Sequence, residues 1–383
     1  MRKIYYVGYY DTNESKQNRE YYLSATNLMD YLADSIDVDN YKIEYVSMSG
    51  TKSKKIMWGG KKTLSHNRTL KKFLSLGRGN SLFARADIHF LRLQMFLYLL
   101  FHVRKRDIVV VYHSLNYTEM LRDLRRIKRF NLVLQMCEIY QDVSGNIAEK
   151  HKKHEFDLVE VADAFICSNK HLSEVFNKEG KPSALLYGIY RAYEGERSGF
   201  GDGKIHVVYA GTLDPRKGGA AAAAAAEHLD ERYHVHLLGF GSDEQIEEIK
   251  GLIFEANSKS SATITYDGLL KGKEFDDFLR KCHIGLATQI PDASFTKTSF
   301  PSKVLTYLAN GLSVVSSTYD AIQSSPVASC VSFYDEQTPQ KIAECIMNTN
   351  VDNVASTEVI RGLDEKFRRE LANLFNEVGD NRK

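Results

Sequence analysis

No two of the five cysteines, Cys137, Cys167, Cys282, Cys330 and Cys345, stand at C-x-x-C spacing, and their number is odd. That pattern argues against a disulfide framework and a thiolate zinc site, and it suits a reducing cytoplasm. Long apolar runs are also lacking. The greasiest stretch, 88–103, is short and interrupted by Arg92, Gln94, His89 and His102, so it does not read as a bilayer span. The opening MRKIYYVGYYD enters a strand directly, without the apolar region and cleavage site of a leader. No G-x-x-x-x-G-K-[ST] loop is present. Gly239-Phe240-Gly241 starts a dinucleotide fingerprint, but Glu244 stands at the third glycine position and argues against an NAD site. No repeat period appears, and no convincing D-x-D pair offers a metal site.

Net charge is only +2 over 383 residues, but it is unevenly spread. Residues 52–106 hold fourteen Lys or Arg against one acid, Asp87, so that segment is +13. The rest has 37 basic and 48 acidic residues and is −11. Trp58, Leu64, Leu70, Phe73, Leu74, Leu76, Leu82 and Phe83 interleave with the cations. This combination suits an anionic membrane surface, where each Lys or Arg contributes about 1 kcal/mol. A plain solvated basic face is the other reading. Nucleic acid is not expected, because no motif for it accompanies the charge.

The chain has room for two domains. Strand-like runs at 3–9, 41–47, 107–113, 131–136, 164–168 and 183–187 alternate with helical stretches, the pattern of a doubly wound α/β sheet. Residues 188–203 hold five glycines and read as a linker between domains 1–190 and 204–365. Loops that follow parallel strands bind ligands, so Gly8, Asp11, Asn18 and Arg19 after the first strand are candidates to line a cleft. His113 and Glu138 each follow a buried strand and should face the same side. An imidazole there can bond a hydroxyl, or simply cap a backbone carbonyl. Glu138 can orient a hydroxyl, or serve as a helix cap.

Two stretches of the second half look built for phosphate. Gly211-Thr212-Leu213-Asp214-Pro215-Arg216-Lys217-Gly218-Gly219 follows a strand and opens into seven alanines, 220–226, which read as a tightly packed helix. Glycines admit a phosphate to the backbone, and two cations supply positive potential. The second stretch is 295–317, FTKTSFPSKVLTYLANGLSVVSS. Thr298, Ser299 and Ser302 form a polar loop, and Pro301 suits a first helical turn. Val304, Leu305 and Leu308 give an apolar helix face. Asn310 and Gly311 end the helix, and a buried strand follows.

These two stretches resemble the diphosphate-binding elements of retaining GT-B-fold glycosyltransferases, the group that includes glycogen synthase-like and polysaccharide-assembly enzymes. The matching residues are Phe300-Pro301-Ser302-Lys303 with Ala309-Asn310-Gly311-Leu312-Ser313-Val314-Val315, and Gly211, Leu213, Lys217 and Gly218. The resemblance covers most of 205–345. It implies two Rossmann-like domains facing a central cleft, with a C-terminal segment, 366–383, returning to the first domain. It also implies transfer of a sugar from a nucleotide-diphosphate donor, with UDP-sugar favoured as a substrate, to a saccharide or lipid-linked acceptor in cell-surface polysaccharide synthesis. Anomeric retention without a metal or cofactor is expected, at the inner face of the plasma membrane. Lys217, Arg216, Thr212, Lys303 and the polar loop would meet the diphosphate. Gly241, Asp267, Gly268 and Leu269 would lie toward the nucleotide, and His113 toward the donor sugar.

One departure bears on activity. Where the group carries two glutamates eight positions apart, this chain has Thr298 and Thr306. Thr212 also replaces a usual arginine. A hydroxyl hydrogen-bonds, but it does not stabilise developing positive charge as a carboxylate does. Two alternatives therefore stand beside the transferase: a non-catalytic glycosyltransferase-like partner subunit, and a sugar-nucleotide epimerase of the same fold.

Overall fold

The computed structural model describes residues 2–12, 19–20, 22–36, 40–143, 149–290, 298–351 and 355–380. The chain divides into two compact units, Met1–Tyr187 with Lys366–Lys383, and Gly188–Glu365.

The first unit is an eight-stranded sheet: β1 (Arg2–Gly8), β2 (Tyr41–Ser47), β3 (Gly60–Ser65), β4 (Arg68–Lys72), β5 (Ile108–Tyr112), β6 (Asn131–Met136), β7 (Ala164–Cys167) and β8 (Ser183–Leu185). Their order is β3-β4-β2-β1-β5-β6-β7-β8. All neighbours are parallel except the β3–β4 hairpin. The central strands are β-branched and buried on both faces, as a helix-covered parallel sheet requires. The hairpin lies inside the basic segment, where lysine-rich strands carry little apolar signal. Part of the segment's charge is answered within the unit. Lys61 pairs with Glu44, Lys72 with Asp11, Arg68 with Asp34, Arg92 with Glu119, and Arg78 with both Glu20 and Asp87. The Ser81–His102 helix buries Leu91, Met95 and Leu99, while Leu82, Leu93, Leu97 and Phe101 lie exposed. No helix among the described residues is long and apolar enough to cross a membrane. In the last helix, Ser356–Asp380, Phe367 stacks on Tyr31 and Phe375 packs on Tyr41.

The second unit is a parallel sheet of β9 (Ile205–Thr212), β10 (Tyr233–Phe240), β11 (Thr263–Gly268), β12 (Ile284–Ala287), β13 (Ser313–Ser317) and β14 (Val331–Tyr334), in the order β11-β10-β9-β12-β13-β14. The alanine run becomes the Gly219–Ala225 helix, with Ala222, Ala223 and Ala225 fully buried against the sheet. The stretch 188–203, read from its glycines as a linker, belongs to this unit. The Tyr193 N–H bonds the Ala309 carbonyl at 2.7 Å, and Arg197 donates to the Gly311 carbonyl at 2.7 Å. Satisfying those carbonyls at the helix end and the turn beyond it fixes the segment to the sheet.

Candidate anion site at the strand ends of the second unit

Parallel β9 and β12 end side by side, and the loops beyond them carry both phosphate-like stretches. The turn Pro215–Lys217 is held from below: the Tyr209 hydroxyl donates to the carbonyls of Thr212 at 2.8 Å and Lys217 at 3.0 Å. Gly218 has φ +89°, and a Cβ there would collide with the Thr288 carbonyl, while Thr288 Oγ1 donates to the Gly218 carbonyl at 2.7 Å. Only glycine fits such a turn, and it locks Lys217 to the end of β12. The Ser302–Ala309 helix is fixed by Tyr307, whose ring occupies the space a Gly285 side chain would need and whose hydroxyl accepts from the Ala210 N–H at 2.8 Å. Pro301 stands one residue before the helix as its N-cap, and Gly311, with φ +80°, lies just beyond it.

Lys303, in the first turn of this helix, is the unusual residue. Its Nζ is buried and has no hydrogen-bond partner among the described residues. It lies 4.0 Å from the centre of the Tyr209 ring, and a Cβ on Gly211 would come within 3.2 Å of it. Burial, and secondarily the charge of Lys217, lower its pKa to about 7. A cation–π contact contributes about 2 kcal/mol when desolvated, much less than hydration supplies to an ammonium. Two cations at a glycine-lined helix start form a place that an anion would stabilise.

The remaining expected donor residues fall into three groups. Arg216 holds both carboxylate oxygens of Asp214, at 3.1 and 2.7 Å, in an exposed local ion pair. The Thr306 hydroxyl donates to the Ser302 carbonyl one turn back at 3.2 Å, the usual habit of a helical threonine. Asp267 turns toward His236, at 3.0 Å, and also accepts from Thr265 at 2.8 Å. Ser302 is exposed at the helix start, whereas Thr298 and Phe300 are buried. The Ser299 carbonyl accepts from the Tyr319 hydroxyl at 3.3 Å. Thr212 ends β9, and Gly241 precedes the Ser242 cap of the next helix. Gly268, with φ +74°, ends β11 beside exposed Leu269.

In the first unit, His113 is buried, and its Nε2 donates to the Glu155 carbonyl at 2.8 Å. Burial lowers its pKa to about 4, so the ring is neutral and Nδ1 is a bare acceptor. Glu138 follows β6 and is half-buried. Gly8 packs against the Met29 thioether, which leaves no room for a Cβ. Asp11 forms a buried ion pair with Lys72 at 2.8 Å. Asn18 lies outside the described residues.

Arg19 is corrected from an acceptor-lining residue to a structural one. It is buried, and its guanidinium donates to the carbonyls of Ser49 at 2.7 Å, Trp58 at 2.9 Å and Phe73 at 3.2 Å. Five fixed donors suit it to tie three chain segments together. Arg19→Met leaves these acceptors without their donor, so we expect a loss of roughly 3 kcal/mol, read as a lower thermal midpoint. Nucleotide binding should be unchanged. An unaltered midpoint with weakened acceptor use would restore the acceptor assignment.

No family model matches the sequence, and no curated protein does. Solved structures do match in shape. A UDP-forming α,α-trehalose-phosphate synthase from Burkholderia xenovorans superposes with a TM-score of 0.69 at 12% identity, over 100% of this chain and 99% of that one. The E. coli trehalose-6-phosphate protein bound with UDP-2-fluoro glucose gives 0.66 at 10% identity, over 99% of both. Anabaena HepE in complex with UDP and glucose gives 0.62 at 12% identity, over 100% and 99%. The chain therefore has the GT-B fold, with two parallel-sheet α/β units.

Proposed function

We propose that this chain is a glycosyltransferase that binds a nucleotide-diphosphate sugar, UDP-sugar favoured, and passes the sugar to a saccharide acceptor. The carrying observation is the buried Lys303 ammonium, without a hydrogen-bond partner among the described residues, beside Lys217 at the start of the Ser302–Ala309 helix. A diphosphate there would bring Lys303 an anionic partner beside Lys217 and would leave with its charge already compensated. The fold neighbours crystallised with UDP and glucose, or with a UDP-glucose analogue, support a UDP-sugar in this role. A neighbour in complex with glucose-6-phosphate supports a saccharide acceptor. His113 and Glu138 remain our choices on the sugar side, each following a buried strand of the first unit. Metal-free transfer with retention, in cell-surface polysaccharide synthesis, completes the reading.

We place the enzyme at the cytoplasmic membrane face, with a lipid-linked acceptor. The support is exposed Trp58, Phe83, Leu93, Leu97 and Phe101 among the cations of 52–106. The Thr298 and Thr306 positions favour a second reading, a non-catalytic subunit that keeps the nucleotide site.

Calorimetric titration with UDP, GDP, ADP and CMP tests the donor site. One nucleoside diphosphate should bind, and Lys217→Ala should weaken it by 10- to 100-fold, the loss of one charge-assisted contact. If none binds, the reading fails. If one binds but the purified chain transfers no sugar from any donor, the subunit reading takes its place.

A further inference from the structure

In the second unit, near the amino ends of the strands, the sheet carries a cluster that a helix-covered parallel sheet does not ordinarily hold. Residues His234 and His236 lie two apart on β10 and so share a face. The β9–β10 register sets His206 directly opposite His234. Each of the three imidazoles offers a ring nitrogen within 4.8 Å of those of the others. His206 and His236 are buried. Their near nitrogens, Nδ1 of His206 and Nε2 of His236, face each other at 2.8 Å. Their far nitrogens each face a carboxylate: His206 Nε2 lies 2.9 Å from Asp202, and His236 Nδ1 lies 3.0 Å from Asp267.

The proton count is informative. An ionised aspartate only accepts, so each far nitrogen must donate. In two neutral rings both near nitrogens are then bare lone pairs, pointed at each other across 2.8 Å. Such an arrangement is relieved either by a proton shared between the two rings or by a metal ion that draws both lone pairs. Imidazoles whose outer N–H groups are held by carboxylates are oriented as metal ligands usually are. Three nitrogens without thiolate select zinc-type ions over magnesium or calcium. At 2.0–2.1 Å from nitrogen a tetrahedral ion needs its ligands about 3.4 Å apart, so the rings would part by roughly half an ångström.

We propose that His206, His234 and His236 bind one divalent transition-metal ion, with zinc as the fitting class, and that Asp202 and Asp267 orient two of the ligands. The site is separate from the anion site. His206 is the second residue of β9 and Thr212 its last, so about 20 Å of strand divides His206 from the loop beyond. The ion would tie β9 to β10 and, through Asp202, hold residues 200–204 to the sheet. The ring of Phe200, stacked 4.0 Å from His206, covers the site on that side.

The test uses the full chain made without a histidine tag and stripped by a chelator. Titration with Co2+ should give visible d–d absorption that saturates at one ion per chain, and Zn2+ should bleach it. Saturating Zn2+ should raise the thermal midpoint by roughly 5–10 °C. His206→Gln and His236→Gln should abolish both responses, while His171→Gln, exposed on another surface, should keep them. An apoprotein that takes up no ion, or an ion that the His206 and His236 variants retain, overturns the proposal. Should those variants fail to fold, X-ray absorption of the wild-type Zn2+ complex counts imidazoles directly. Three ligands sustain the site and fewer overturn it.

Discussion

Lys303→Met should make the protein more stable and at the same time abolish nucleotide binding. The ammonium is buried, has no hydrogen-bond partner among the described residues, and titrates near pH 7 instead of at the ordinary lysine value. A base whose folded pKa lies below its unfolded value binds fewer protons in the folded chain. Stability therefore rises with pH between about 7 and 10.5, and below that window the full penalty applies. At pH 7 the shift corresponds to roughly 4 kcal/mol. Methionine fills similar volume without a charge to desolvate, so the thermal midpoint should climb by about 5–10 °C. Loss of UDP binding from a more stable variant cannot be ascribed to misfolding. It would mark Lys303 as a residue whose strain serves binding. A variant less stable than wild type would mean that the ammonium is already satisfied, and the anion-site argument would lose its base.

The second large effect is on protons. Near pH 7 about half of the Lys303 side chains are neutral, and a diphosphate beside them favours the charged form. Binding should therefore take up about half a proton at pH 7 and nearly a whole one at pH 8.5. Affinity should fall roughly tenfold over that interval, since the phosphate is already mostly ionised at pH 7. Calorimetry in buffers of different ionisation enthalpy reads the uptake directly. Less than about 0.2 proton at pH 8.5 would show that Lys303 does not meet the nucleotide.

The sequence carried the elements of local pattern well. The Ser302–Ala309 helix, its glycine turn and the buried β13 follow from apolar spacing and the φ > 0 tolerance of Gly311, and each stands within a residue or so of its expected place. The alanine helix and the strand before it were equally plain. The β3–β4 hairpin was not, because GKKTLS and RTLKK alternate too weakly to register as strands. Neither were β14 and the Pro339–Asn348 helix. Asp267 was placed toward the nucleotide by the family resemblance, and its carboxylate faces His236 at 3.0 Å. The histidine cluster was not legible, because the register that sets His206 beside His234 is a tertiary property.

The sequence by itself determined the alternation of strands and helices, the glycines that permit tight loops, and the kinds of charge available. Those are properties of single residues and near neighbours, and backbone sterics and burial period act at that range. Only the tertiary structure decided which charges remain for a ligand. Arg19 and Lys72 look like any other cations along the chain, yet each is consumed by a partner that folding supplies: three backbone carbonyls, and Asp11. Lys303 is the converse case. Helix packing carries it onto the Tyr209 ring and removes it from water, and strand order sets it beside Lys217. Desolvation is a three-dimensional property, and it turns one lysine among many into a site.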